Sequence, residues 1–166
     1  MSMRDLTLYL VAGAGPDVQQ DIAAAIHGGV TMVQIRFKSL SDRDLIDLAE
    51  PVMELCKRHQ IPVIVNDRLD LALVLNADGV HLGVDDLPLE SASEMSPEGF
   101  HIGYSPESDE QIRTAAERGA TYLGIGSVYT TTTKLDAGAA LGLEEFHRRC
   151  ELTTLPVVGI GGITSG

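Results

Sequence analysis

Short apolar, β-branched runs recur along the chain at Leu6–Val11, Met32–Arg36, Pro62–Val65, Gly79–Leu82, Phe100–Tyr104, Tyr122–Ile125 and Pro156–Ile160. Runs apolar at nearly every position predict strands buried on both faces, as in a parallel sheet. Helical periods lie between them. After Ser41, the residues Leu45, Leu48, Ala49, Val52 and Cys56 fall on one face, and Pro51 is expected to kink or split that helix. Ser108-Asp109-Glu110-Gln111 reads as a capping box. It opens a helix with Ile112, Ala115 and Ala116 inside and Gly119 as its stop. A further helix runs from near Asp17 to Gly28-Gly29. The cadence Gly28-Gly29-Val30-Thr31, Asn76-Ala77-Asp78-Gly79 and Arg118-Gly119-Ala120-Thr121 carries helix ends into new strands. Seven β-strands alternating with helices at this cadence suit an α/β chain of the TIM (β/α)8 barrel type better than a doubly wound sheet.

The length of 166 residues predicts one domain, residues 1–166. Acidic residues number 24 and basic residues 12, for a formal charge of -12. That balance argues against nucleic acid and against an anionic membrane surface as partners. No apolar run approaches the ~18 residues of a membrane span. The polar start Met1-Ser2-Met3-Arg4-Asp5 shows no signal peptide. Cys56 and Cys150 make no disulfide framework, and both are read as reduced thiols of a cytoplasmic protein.

A barrel of this kind works at the carboxyl ends of its strands. After the second strand, alternation puts Gln34, Arg36 and Lys38 on one side, two cations and an amide suited to a multiply charged anion. The plainer alternative is a solvated strand end. After the third and fourth strands come Asn66-Asp67 and Asp85-Asp86. Asp67 and Asp86, on neighbouring strand ends, offer carboxylate oxygens to one Mg²⁺; helix capping accounts for them equally well. His81, between Val80 and Leu82, reads as a satisfied core histidine. Ser105 follows the fifth strand, and Thr130, Thr131, Thr132, Thr133 and Lys134 follow the sixth. Hydroxyls with a lysine suit phosphate oxygens, although a Thr-rich loop is the blander reading. Gly161 and Gly162 follow the seventh strand, where glycines let backbone N–H groups approach phosphate. Singly these signals are weak. Together they outline a site for a diphosphate with Mg²⁺ and a separate monophosphate pocket.

The segments LYLVAG, GGVTMVQIRFK, IPVIVNDRLDLAL, ADGVHLGVDDLP, GYS, GATYLGIGSVYTTTTK and LPVVGIGGI, in this order, resemble the thiamine phosphate synthase family and its relative, the thiazole tautomerase family. The resemblance spans essentially the whole chain and implies a (β/α)8 barrel. It implies a transferase that joins hydroxymethylpyrimidine diphosphate to thiazole phosphate, giving thiamine phosphate and pyrophosphate in thiamine biosynthesis. By motif, Gln34, Arg36, Lys38 and Asn66 would hold the diphosphate, and Asp67 and Asp86 would ligate Mg²⁺. Ser105 would face the pyrimidine and leaving group. Thr131, Thr133 and Lys134 would contact thiazole phosphate and pyrophosphate, and Gly161 and Gly162 would cradle the thiazole phosphate. Arg36, Lys38, Ser105 and Lys134 would be the catalytic set, acting through a dissociative route without a protein nucleophile. The implied partners are small phosphorylated pyrimidine and thiazole substrates, and a homo-oligomer is compatible with this reading.

Phe37 replaces the family's usual Glu, and alternation is expected to turn it away from the ligand. Thr130 replaces a usual Pro. Glu107 stands where many relatives carry a His on which the tautomerase relies, while Asp86 favours the synthase. A thiazole tautomerase-like isomerase and a non-catalytic paralogue that binds thiamine intermediates are the alternatives. Relative to the family the chain is expected to lack the eighth βα unit. A segment beyond Gly166, a partner chain or an altered terminal arrangement would then cover strands 1 and 7.

Overall fold

The computed structural model describes residues 5–131 and 139–164. Its strands are β1 (Tyr9–Gly13), β2 (Met32–Arg36), β3 (Val63–Asn66), β4 (Gly79–Leu82), β5 (His101–Tyr104), β6 (Tyr122–Gly126) and β7 (Val157–Ile160). They form one parallel sheet in the order β1-β2-β3-β4-β5-β6-β7. Sequential order in a parallel sheet means every crossover carries its helix over the same face, which curls the sheet into a barrel wall. The helices are α1 (Val18–His27), α2 (Asp42–Arg58), α3 (Leu69–Val74), α4 (Leu89–Met95), α5 (Asp109–Thr114) and α6 (Gly142–Cys150). Among the described residues no helix is long and apolar enough to cross a membrane.

Alternation splits each strand into two sets. Val33, Ile35, Val63, Val65, Val80, Leu82, Ile102, Leu123 and Ile125 join the main buried cluster, together with Ile22, Leu45, Val52, Leu69, Leu89 and Ile112 from the helices. This is the layer between sheet and helices, and each such side chain contributes roughly 1.5–3 kcal/mol by leaving water. The opposite set faces the barrel interior. Register places Val11, Gln34, Ile64, Gly79 and His101 at one level, and Asn66, His81, Gly103 and Tyr122 at the next. Continuous apolar runs therefore hide a polar interior, because only every second residue in them needs to be apolar.

Several local expectations change. The first strand begins at Tyr9, not Leu6, with Thr7 and Leu8 in a bend. Pro51 does not split α2: the helix is one element through to Arg58, held by the burial of Ala49, Val52, Leu55 and Cys56. The capping box at Ser108 is present, with the Ser108 side chain accepting from the Gln111 N–H and the Gln111 side chain accepting from the Ser108 N–H. Helix α5 ends at Thr114, however, and Ala116 is exposed. The carboxyl-terminal unit is the least buried: no residue of α6 is fully buried, and Ile160 and Ile163 are exposed.

Candidate active site

The mouth of the barrel is built where β2, β3, β4 and β5 end. Arg36 closes β2, paired in register with Gly13. Phe37 then turns outward into the core, as alternation requires, and the next side chain, Lys38, returns to the mouth. Lys38, Asn66, Asp67 and Arg68 line one cleft with Ser39, Leu40 and Asp42. The Lys38 ammonium lies 3.8 Å from Asp67 Oδ2, with the two side chains 55% and 35% exposed. At that exposure the pair contributes little to stability, so both groups are available to a ligand.

Capping does not account for Asp67. Helix α3 takes Arg68 as its N-cap and shows no side-chain capping bond. Asp67 instead sits at φ 63°, in the left-handed region that non-glycine residues enter at a cost. Its N–H donates to the His81 carbonyl at 2.8 Å, which locks the turn. Burial raises the Asp67 carboxyl above its ordinary value, and the neighbouring Asp86 carboxylate raises it further through charge and a shared hydrogen bond; Lys38 and Arg36 oppose this weakly. Nor does Asp86 cap α4, whose N-cap is Pro88. Asp86 Oδ2 accepts the Gly83 N–H at 2.6 Å, which holds the carboxylate toward the mouth. Two carboxylates so close repel each other, and a hard divalent cation between them would relieve that repulsion. Both are oxygen donors of the kind Mg²⁺ takes, so the residues present fit the ion.

Arg68, next to Asp67, is committed elsewhere. Its guanidinium donates to Asp42 at 2.7 Å and to Asp70 through Nε at 2.8 Å, tying α2 to α3. Among the described residues, Lys38 and Arg36 are the cations whose charge acts on Asp67. Thr131 lies in the loop after β6; Thr133 and Lys134 lie outside the described residues. Gly161 and Gly162 follow β7 with φ of 98° and 67°. A Cβ at Gly161 would come within 2.6 Å of Ser127. These glycines therefore serve at least to let the loops after β6 and β7 lie side by side, where Tyr129 N–H donates to the Gly161 carbonyl at 2.9 Å.

Sequence reasoning missed the aromatic part of the interior. Ser105 Oγ lies 2.8 Å from His81 Nε2, and His81 Nδ1 lies 3.0 Å from the Tyr122 hydroxyl. The Tyr122 hydroxyl is 2.8 Å from that of Tyr9, which accepts from Gln34 Nε2 at 2.8 Å. Burial brings the His81 imidazole down to about 4, despite the opposing charge of Asp86, so the ring is neutral. Burial also pushes the Tyr9 phenol up to about 12. His81 is the satisfied interior histidine that its strand position implies, and one of its partners is Ser105, a residue the sequence singled out. The available signal was phase: His81 shares the inward parity of Gly79 on β4, as Ser105 does with Gly103 after β5.

The fold is that of a β/α-barrel protein, with Lys38, Asp67 and Asp86 gathered at the carboxyl ends of neighbouring strands. Residues 8–166 match the sequence profile of the family described as thiamine monophosphate synthase. The chain belongs to that family. It is 43% identical over 162 residues to the thiamine-phosphate synthase of Coprothermobacter proteolyticus, covering 95% of this chain and 76% of the relative. It is 44% identical over 163 residues to the thiamine-phosphate synthase of Clostridium acetobutylicum, covering 96% and 77%. Among solved structures, a thiamine phosphate pyrophosphorylase from Pyrococcus furiosus superposes with a TM-score of 0.85 at 36% identity, covering 96% of this chain and 76% of that one.

Proposed function

We propose that this family member is a Mg²⁺-dependent transferase that joins hydroxymethylpyrimidine diphosphate to thiazole phosphate. The products are thiamine phosphate and pyrophosphate. The observation that carries the reading is that Lys38 and Asp86 both act on Asp67 at the strand ends, in a chain whose relatives bear the synthase name.

In this reading Arg36 and Lys38, with Gln34 and Asn66, bind and orient the diphosphate, and Asp67 and Asp86 would hold the ion. Mg²⁺, when bound, offsets the negative charge that gathers on the pyrophosphate oxygens. The carbon–oxygen bond to the diphosphate breaks, and the thiazole nitrogen forms the new bond to the same methylene carbon. Arg36 and Lys38 act where charge develops, so they stabilise the transition state more than the ground state. Lys134 joins them in the proposal. Ser105 faces the pyrimidine and the leaving group. Thr131 and Thr133, with Gly161 and Gly162, take the thiazole phosphate. A cytoplasmic, reducing setting belongs to the same proposal and is supported by Cys56 and Cys150, both free thiols.

The test is direct. Incubation with both substrates and Mg²⁺ yields thiamine phosphate by chromatography, and chelation of the metal abolishes it. Absence of product across metal concentrations overturns the reading.

A further inference from the structure

The interior hydrogen bonds run from the Gln34 amide to the Ser105 hydroxyl without a break. Each member has a fixed donor inventory. Gln34 Nε2 donates to the Tyr9 oxygen. The other recorded partner of that hydroxyl is Tyr122, so the Tyr9 proton goes to the Tyr122 oxygen. The Tyr122 proton then goes to His81 Nδ1. Between two neutral hydroxyls the buried imidazole carries one proton, and with Nδ1 accepting, that proton is on Nε2. It is therefore donated to Ser105 Oγ.

A second line of reasoning starts at the other end. A phenol is a stronger acid than an alcohol and so the better donor, while the serine oxygen is the better acceptor. An imidazole placed between Tyr122 and Ser105 takes its proton from the tyrosine side and gives one to the serine. Both directions agree. The space for the relay is also built in: a Cβ at Gly103 would lie 2.2 Å from Tyr122 and 2.3 Å from His81 Nδ1, and one at Gly124 would lie 3.0 Å from His81 Cε1.

We propose that the buried relay Gln34–Tyr9–Tyr122–His81 fixes Ser105 as a hydrogen-bond donor to the ligand, with His81 as its positioning residue. With Nε2–H donating to it, Ser105 finds no acceptor in His81 for its own proton, and that proton is turned to the mouth. The ligand atom opposite it is an acceptor: a phosphate oxygen or an unprotonated ring nitrogen. Naming that ligand as the pyrimidine diphosphate rests on the proposed function; the direction of the relay does not.

The experiment is long-range ¹H–¹⁵N spectroscopy of the ¹⁵N-histidine protein at neutral pH without ligand, with His81→Gln assigning the signal. The expected result is the Nε2–H tautomer, and the Nδ1–H tautomer would overturn the proposal. Tyr122→Phe is expected to mix the tautomers and to lower kcat about tenfold with little change in KM. His81→Gln, which keeps an acceptor and a donor in the same order, stays within about threefold of the parent, whereas His81→Leu falls as far as Ser105→Ala. Unchanged tautomer and rate in Tyr122→Phe, or equal losses in His81→Gln and His81→Leu, count against the relay. Nε2–H with no thiamine phosphate formed refutes the enzymatic reading alone; turnover with Nδ1–H refutes the relay alone.

Discussion

The hydroxyls of Tyr9 and Tyr122 meet at 2.8 Å although 113 residues separate them and β2 to β5 lie between their strands in the sheet. Their rings cross edge-on at 5.9 Å. The contact spans the barrel interior and holds the curl of the sheet by a polar bond inside an aromatic pair. Removing one hydroxyl leaves a buried partner unsatisfied, at about 1–3 kcal/mol. Tyr9→Phe and Tyr122→Phe should each lower stability in denaturant titration by that amount. The double variant should lose less than the sum, because the two share one bond.

Gly103 is fixed by closeness, since a methyl group there would overlap the Tyr122 ring and His81. Gly103→Ala should cost about 3 kcal/mol, the upper end of ordinary overpacking. Gly15→Ala, where nothing lies within 4 Å, should leave the unfolding midpoint nearly unchanged.

Asp67 opposes stability at neutral pH. Its folded-state carboxyl is raised by burial and by Asp86, so the native state holds its proton more tightly than the unfolded chain. The benefit is full below the unfolded value and is lost as pH rises through the folded one. Asp67→Asn should therefore raise the neutral-pH melting temperature while reducing Mg²⁺-dependent turnover by about a hundredfold or more. Mg²⁺ should raise the melting temperature of the parent and not of Asp67→Asn, by linkage.

Ser41 accepts the Asp44 N–H at 3.2 Å as the N-cap of α2. Ser41→Ala should cost about 1 kcal/mol in denaturant unfolding. Turnover should be unaffected, because the cap lies outside the proposed contacts.

Much of this could be read from sequence for identifiable reasons. Buried parallel strands advertise themselves as apolar runs, so the strands from Met32 to Ile160 appear close to their predicted places. Parity alone put Gln34, Arg36 and Lys38 on one side and sent Phe37 into the core. Two features escaped. Pro51 breaks helices on local grounds, but the burial of α2's apolar face outweighs one lost backbone bond. Tyr9 and Tyr122 looked like ordinary strand residues, because nothing local to either predicts a bond across 113 residues. Whether Asp67 and Asp86 capped helices was also open by spacing; the N-caps proved to be Arg68 and Pro88, one residue and two residues further on.

The relay from Gln34 to Ser105 has a collective property. Each hydroxyl owns one proton, so reversing a single member sets two donors, or two bare oxygens, face to face. The chain of side chains therefore has two orderly arrangements and turns over as a unit. The amide orientation of Gln34 on β2 is thereby tied to the proton that Ser105 offers beyond β5, four hydrogen bonds away.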